Sequence, residues 1–234
     1  MIGDLLDALD RSGKAKNTLV VYFGDHGADL LRGKRTCYEG GVRIPFIVRW
    51  PGQIKALGAR SESLVSFVDL YPTFVDAAGL DIPEHLPGYS ILPALNANKT
   101  GRQHLYSAFV AHTTGIHQYW PTRTVTDGRW KLIHHVFGNG NRSRYSEKNK
   151  AIFSLNKQID SLAGNALARQ LRTLSEVPPA FELYDLKNDP DEHHNLIGTD
   201  KYSEAESKLR KRLVNWRRDT ADPFLDEAFV KRFS

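Results

Sequence analysis

The sequence predicts an α/β protein in two parts, an α/β segment over residues 1–100 and a smaller antiparallel part over residues 101–234. Three patterns carry this reading. An amphipathic helical stretch leads into a short, unbroken β-branched and aromatic run. After about residue 100 the pattern changes to short strands separated by turn residues. The chain then closes on a basic helix with an apolar stripe. A length of 234 residues excludes a single short module, since a typical domain holds ~150 residues. Hydrophobic residues at 41%, with 11 Phe, 9 Tyr and 4 Trp, supply a sizeable core and exclude global disorder. The net charge of +5 suits an anionic ligand without implying nucleic acid. Cys37 is the only cysteine, which excludes an internal disulfide and leaves a zinc site without a second thiol. No apolar run reaches the ~18 residues of a membrane span. The start lacks the cationic and continuous apolar regions of a signal peptide and reads as the interior of a domain.

Ile2, Leu5, Leu6 and Leu9 fall on one face of a helix, and Gly13 supplies the left-handed residue that ends it. Thr18 to Phe23 lies between Asn17 and Gly24 and predicts a strand covered on both faces. Val42 to Trp50 predicts a second strand, at an edge or a bulge because Pro45 has no ladder donor. Ser66 to Ala78 predicts a helix with Leu70, Phe74 and Ala77 inward, Pro72 in its first turn and Gly79 as its stop. Residues 81–100 read as an irregular connection. Strands follow at His104 to Ala111, Thr122 to Thr126 and Arg129 to Val136, and Asp127-Gly128 carries the signature of a two-residue type I′ hairpin. Residues 139–149 read as an exposed loop, and Ile152 to Leu174 as a helix interrupted by Gly164. Phe181 to Leu186 alternates as a strand, Asn188 to Asp191 is turn chemistry, and Ser203 to Arg218 is a basic helix with Leu209, Leu213 and Trp216 inward.

Candidate chemistry gathers behind the first strand. Asp25-His26 follows it directly, where α/β sheets collect ligand groups, and Gly24 and Gly27 let the backbone turn sharply. A carboxylate beside an imidazole suits a divalent cation, but taken alone the same residues read first as a turn cap and a hydrogen-bonded loop histidine. Gly33-Lys34-Arg35-Thr36 offers cations able to hold a tetrahedral oxyanion, or a solvated basic turn. Glu39 and Arg43 read as scaffold, pairing with each other or bracing the loop. Cys37 reads as a packed apolar thiol. His134 and His135, on a strand, point to opposite faces and do not share a metal. His193-His194 reads as part of a solvated turn.

Taken as a set, Asn17 to Gly27 (Asn-Thr-Leu-Val-Val-Tyr-Phe-Gly-Asp-His-Gly) and Gly33 to Gly52, with its Gly-Lys-Arg-Thr-Cys-Tyr-Glu-Gly-Gly opening, resemble the sulfatase family. The resemblance runs on through Val65 to Thr73, Gly88 to Pro93 and Glu182 to Pro190, with Glu192 and Asn195-Leu196, and so covers nearly the whole chain. Within that family the block order, His112, Tyr119 to Arg123 and the Asp222-Pro223 ending are most similar to N-sulfoglucosamine sulfohydrolases. The resemblance implies the C-terminal part of a mixed-sheet α/β domain followed by an antiparallel subdomain packed with a C-terminal helix. It implies hydrolysis of a sulfate ester or sulfamate on a sulfated glycan, with Ca2+ held by Asp25 and His26, sulfate contacted by Lys34, and Glu39 and Arg43 in support. His112 and His117 become candidate sugar or sulfate contacts. Sulfatases attack with a formylglycine made within Cys/Ser-x-Pro-x-Arg; Cys37 is followed by Tyr38, Glu39, Gly40 and Gly41, and no other segment carries the motif. The chain therefore resembles a C-terminal fragment, inactive alone, of a family whose members are mostly exported or lysosomal. A non-catalytic glycan- or anion-binding protein on the same scaffold stays open. So does a phosphatase or phosphodiesterase of the alkaline phosphatase superfamily, although the Gly33 to Gly41 block argues against it.

Overall fold

The structure is a computed structural model that describes residues 1–55, 57–97, 102–111, 119–138 and 164–232. In chain order the elements are α1 (Ile2–Arg11), β1 (Val20–Phe23), α2 (Glu39–Val42), β2 (Phe46–Arg49), α3 (Leu70–Ala77), α4 (Leu92–Ala97), β3 (Leu105–Ala111), β4 (Tyr119–Thr126), β5 (Trp130–His135), α5 (Ala166–Glu176), β6 (Phe181–Asp185), α6 (Ser203–Asp219) and α7 (Glu227–Lys231). They form two compact units, residues 1–25 with 44–105 and residues 26–43 with 106–234. The predicted exposed loop at 139–149, and the part of the predicted helix before residue 164, lie outside the described residues. No described helix is long and apolar enough to cross a membrane.

In the first unit, β1 and β2 form a two-stranded antiparallel sheet in which Val20 pairs with Arg49 and Phe23 with Phe46. Pro45 stands just outside this ladder, and its carbonyl accepts the Gly24 amide at 3.1 Å. The expectation that β1 is covered on both faces does not hold for this chain. Tyr22 and Phe23 are 48% and 40% exposed, and β1 pairs with β2 alone among the described residues. Gly13 takes φ +71° after α1, as a helix stop requires. The predicted 66–78 helix opens as a 3₁₀ turn at Phe67–Asp69, capped reciprocally by Ser66 and Asp69. The buried Asp69 carboxylate also accepts the Tyr89 amide at 3.0 Å and pairs with Arg102, and the Thr73 hydroxyl accepts the Ile91 amide at 3.0 Å. Gly88 sits so close to Val68 that an added Cβ would fall 1.9 Å from the Val68 carbonyl oxygen. The two motif stretches at 65–73 and 88–93 thus form one packed turn.

The second unit is built on a four-stranded sheet in the order β3-β4-β5-β6, and β4, β5 and β6 pair antiparallel. The β4–β5 connection is not the expected two-residue type I′ turn. Only Gly128 takes a left-handed φ, +93°, while the Asp127 carboxylate accepts the amides of Arg129 at 3.0 Å and Trp130 at 2.8 Å. That side-chain cap, an Asx turn, takes the Trp130 amide in place of the Asp127 carbonyl, while the Asp127 amide still donates to the Trp130 carbonyl at 3.1 Å.

Period-two alternation gives the sheet two different faces. One face carries Val125, Leu132 and Leu183, packed against Leu209 and Leu213 of α6, with Tyr106, Trp130, Phe181 and Trp216 around them. Tyr106 and Trp216 stack with ring centroids 5.0 Å apart. The other face carries Lys131, Ile133 and His135 from β5 and Glu182 and Tyr184 from β6, and it too is buried. Cross-strand register places Leu132 opposite Leu183 and Ile133 opposite Glu182, so the apolar and polar sets stay on separate faces.

At the α6 end, Asp222 is buried between two arginines, 2.8 Å from Arg123 Nη2 and 2.7 Å from Arg217 Nε. Arg217 Nη1 also donates to His134 Nδ1 at 3.1 Å, and the His134 ring stacks on Phe181 at 4.4 Å. Burial, followed by the Arg217 charge, pushes the His134 pKa down to about 3. The depressed folded value means that His134 favours folding fully above the usual histidine range. That contribution is lost as pH falls from about 6.5 to about 3, at up to about 1.4 kcal/mol per pH unit. Glu182, Asp185 and Asp222 are also held below their usual values and add an acid loss at lower pH. Urea unfolding of His134→Phe, which keeps the stack on Phe181, is expected to show a flatter stability profile than the parent between pH 6.5 and 5. Parallel profiles would contradict the assignment.

Candidate functional site

The segment between β1 and β2 folds over the polar face of the sheet. Its base closes through Gly27 N–H to the Gly41 carbonyl at 3.0 Å, and its centre through Lys34 N–H to the Ala28 carbonyl at 2.8 Å. The Thr36 hydroxyl returns to the Gly33 carbonyl at 2.7 Å. Close approach, rather than turn freedom, sets the glycines here. An added Cβ would fall 1.7 Å from the Gly40 oxygen at Gly27, 2.1 Å from the Ala28 oxygen at Gly33 and 2.4 Å from the Gly33 oxygen at Gly41. Arg32 and Arg35, on either side of Gly33-Lys34, take left-handed φ values of +60° and +74°. Such a conformation costs a non-glycine residue on the order of 1–3 kcal/mol.

Beneath the loop lies a buried polar cluster. The Arg32 guanidinium donates to the Glu192 carbonyl, to Glu182 Oε2 at 3.2 Å and to the Tyr184 hydroxyl at 2.7 Å, and it lies 3.8 Å above the Tyr38 ring. Glu182 receives four donors: Arg32, the Tyr38 hydroxyl at 2.7 Å, His135 Nε2 at 2.7 Å and the Tyr184 hydroxyl. The Trp120 indole N–H donates to His135 Nδ1 at 3.1 Å, so that nitrogen is an acceptor and the ring proton sits on Nε2, facing Glu182. Burial alone would raise the Glu182 pKa, but the hydrogen bonds from His135, Tyr184 and Tyr38 outweigh it and hold the carboxylate below its usual value. The same burial pushes both tyrosines up, so they remain phenols that donate.

A second buried group fastens the far end of the loop. Lys131 Nζ lies 2.8 Å from Glu39 and 3.0 Å from Glu192, and the Glu39 amide donates to Glu192 at 2.5 Å. Burial raises the Glu192 pKa against the pull of Lys131. Of the two roles read for Glu39 and Arg43, pairing or bracing, the Glu39 carboxylate takes the second through Lys131, while the Arg43 amide donates to the Glu39 carbonyl at 2.9 Å. Cys37 is buried and its thiol is pushed up to about 11 by that burial, which keeps it protonated and unreactive.

The sequence-predicted site residues fall as follows. Asp25 closes the first unit two residues after β1, and His26 opens the second, with its Nδ1 2.8 Å from the Gly27 carbonyl oxygen. Lys34 is half-buried, and its ammonium makes no hydrogen bond or ion pair with the described residues. His112 and His117 lie outside the described residues. Calcium takes six to eight oxygen ligands. Asp25 and His26 supply a carboxylate and an imidazole, and no group of three or more His, Cys, Asp or Glu that could hold a metal is found among the described residues. The described residues therefore do not make a calcium site on their own. His135 and His134 engage different partners, Glu182 and Arg217, consistent with opposite faces. In the turn ahead of α6, the amides of His193 and His194 are capped by Asp189.

Sequence reasoning did not single out Arg32, Lys131, His135 and Glu182 as a cluster. Its one-dimensional trace is the alternation Lys131-x-Ile133-x-His135 opposite Glu182-x-Tyr184, with Lys131 and Glu182 standing next to the apolar Leu132 and Leu183. Which loop would cover that face is not encoded locally.

Residues 1–80 match the family model described as Sulfatase. An ulvan-active sulfatase of Formosa agariphila is 32% identical over 211 residues, which are 88% of this chain and 38% of that protein. The human N-sulphoglucosamine sulphohydrolase is 27% identical, over 96% of this chain and 46% of its own length. Among solved structures, that of BT4656 in complex with its substrate D-glucosamine-2-N,6-O-disulfate superposes with a TM-score of 0.71 at 28% identity, over 97% of this chain and 40% of that one. The chain belongs to the sulfatase family, and it spans less than half the length of these relatives.

The packing at Gly33 is open to a direct check. Gly33→Ala is expected to displace the Ala28 carbonyl and speed amide exchange at Lys34, leaving β4–β6 amides protected as in the parent. Unchanged protection at Lys34 would show that the close approach is not needed.

Proposed function

We propose that this chain supplies the sulfate-binding part of a sulfatase-type hydrolase that acts on a sulfated glycan. The observation that carries the reading is Lys34: a half-buried ammonium without a protein partner among the described residues, on a braced loop, within the family's Gly-Lys-x-Thr-x-Tyr-Glu-Gly-Gly block. An ammonium there neutralises the non-bridging oxygens of a sulfate group and donates hydrogen bonds to them, while a low-dielectric surrounding strengthens the attraction. Asp25 and His26 are two calcium donors in this reading, and donors from elsewhere complete the shell. Bound calcium would add electrophilic stabilisation of the sulfate oxygens. His112 and His117 are proposed as sugar or sulfate contacts. A sulfated glycan as substrate class is supported by the ulvan-active sulfatase and by the neighbour's sulfated glucosamine. Both an ester and a sulfamate fit this arrangement.

These 234 residues contain no Cys/Ser-x-Pro-x-Arg sequence, and the one thiol is buried and protonated. Turnover therefore needs a nucleophile from outside them, and the purified chain is expected to release no sulfate from a sulfated glycan. Sulfate released by the chain alone would contradict this. Binding is the positive test. Inorganic sulfate, titrated while the Lys34 amide is followed by NMR, is expected to bind the parent. Lys34→Ala is expected to weaken it at least about tenfold, the loss expected for a charged hydrogen-bond donor worth about 1.5–3 kcal/mol. Equal affinity in the two proteins would remove Lys34 from the sulfate role.

A further inference from the structure

We infer that Arg32 and Glu182 are positioning residues for Lys34: the buried Arg32–Glu182 pair fixes the loop geometry that presents the Lys34 ammonium to sulfate. This inference rests on the sulfate-binding role proposed for Lys34. The Lys34 side chain has no partner among the described residues, and its backbone makes one hydrogen bond, to Ala28. Its position is therefore set by its neighbours. Both neighbouring arginines are left-handed, a conformation that persists only where the surroundings over-determine it. Arg35 is tied to Asp29 at 2.6 Å. Arg32 is tied far more deeply, to Glu182, Tyr184 and the Glu192 carbonyl, with its plane on Tyr38.

The pair is poorly suited to a role in stability alone. A buried ion pair repays little more than its desolvation, and the larger apolar cluster of this unit lies on the opposite face of the sheet, while the pair's own face holds only the smaller set Tyr38, Ile133 and Tyr184. What the pair supplies is direction. Guanidinium and carboxylate meet in one geometry, and Tyr38, Tyr184 and His135 use the remaining acceptor sites of Glu182, so the loop has one seat on the sheet. An alternative loop position would strand the Glu182 charge, the Arg32 charge or both in a buried setting.

The test is the sulfate titration at the Lys34 amide, carried out on the full chain and on Glu182→Gln, Arg32→Met and Tyr184→Phe, each well below its own unfolding midpoint. A loss of stability alone leaves affinity unchanged under that condition. Glu182→Gln and Arg32→Met are expected to weaken sulfate binding at least about tenfold while near-UV circular dichroism and β4–β6 amide protection stay at parent levels. Tyr184→Phe removes one hydroxyl and keeps the pair, and is expected to weaken binding about threefold; it decides the matter if either charge variant fails to fold. Parent affinity in folded Glu182→Gln and Arg32→Met, or in Tyr184→Phe where those do not fold, overturns the inference and leaves the Lys34 reading standing. Parent affinity in Lys34→Ala, or no sulfate binding by the parent, overturns the Lys34 reading and this inference with it.

Discussion

A carboxylate sealed away from water must be met by donors on every side, and Glu182 meets that demand with groups from three parts of the chain. Arg32 and Tyr38 come from the loop after β1, His135 from β5 and Tyr184 from its own strand. Removing any one leaves polar groups without partners in a low-dielectric setting, where they are costly. The loop that carries Lys34 is consequently folded by long-range electrostatics, across 150 residues of sequence between Arg32 and Glu182. Its own residues favour a different outcome: two non-glycine left-handed positions resist the conformation, and three closely packed glycines merely permit it.

The sheet makes this possible because alternation separates two tasks. Leu132 and Leu183 give one face to α6 and supply the apolar burial that stabilises the unit. Lys131, His135, Glu182 and Tyr184 give the other face to the loop, with Lys131 gripping Glu39 and Glu192 at one end and Glu182 gripping Arg32 at the other. A small antiparallel sheet far along the chain thereby shapes a loop that belongs in sequence to the α/β part.

Much of this was legible in the sequence, and the limits have physical causes. Strong periodicity revealed α1, β1, β5, β6 and α6 to within a few residues, and Gly13 marked a helix stop as read. Local chemistry misled at Asp127-Gly128, where a side-chain cap competes with the backbone turn that the dipeptide suggests. It also misled at β1, whose apolar run implied cover on both faces although Tyr22 and Phe23 are half-exposed here. Asp25, His26 and Lys34 stand out only as part of a block of residues, since each alone reads first as a turn cap, a loop histidine or a solvated charge. The Glu182 cluster was hidden because its members come from segments whose pairing is a property of the fold.

The central claim is that Arg32 and Glu182 act as one unit, and a double-mutant cycle measures that directly. Urea unfolding of Arg32→Met, Glu182→Gln and the double variant is expected to give a coupling of at least about 1.5 kcal/mol, because the second substitution removes a charge that the first has already stranded. Additive losses, within about 0.5 kcal/mol, would mean that the two side chains do not sense each other and that something else seats the loop.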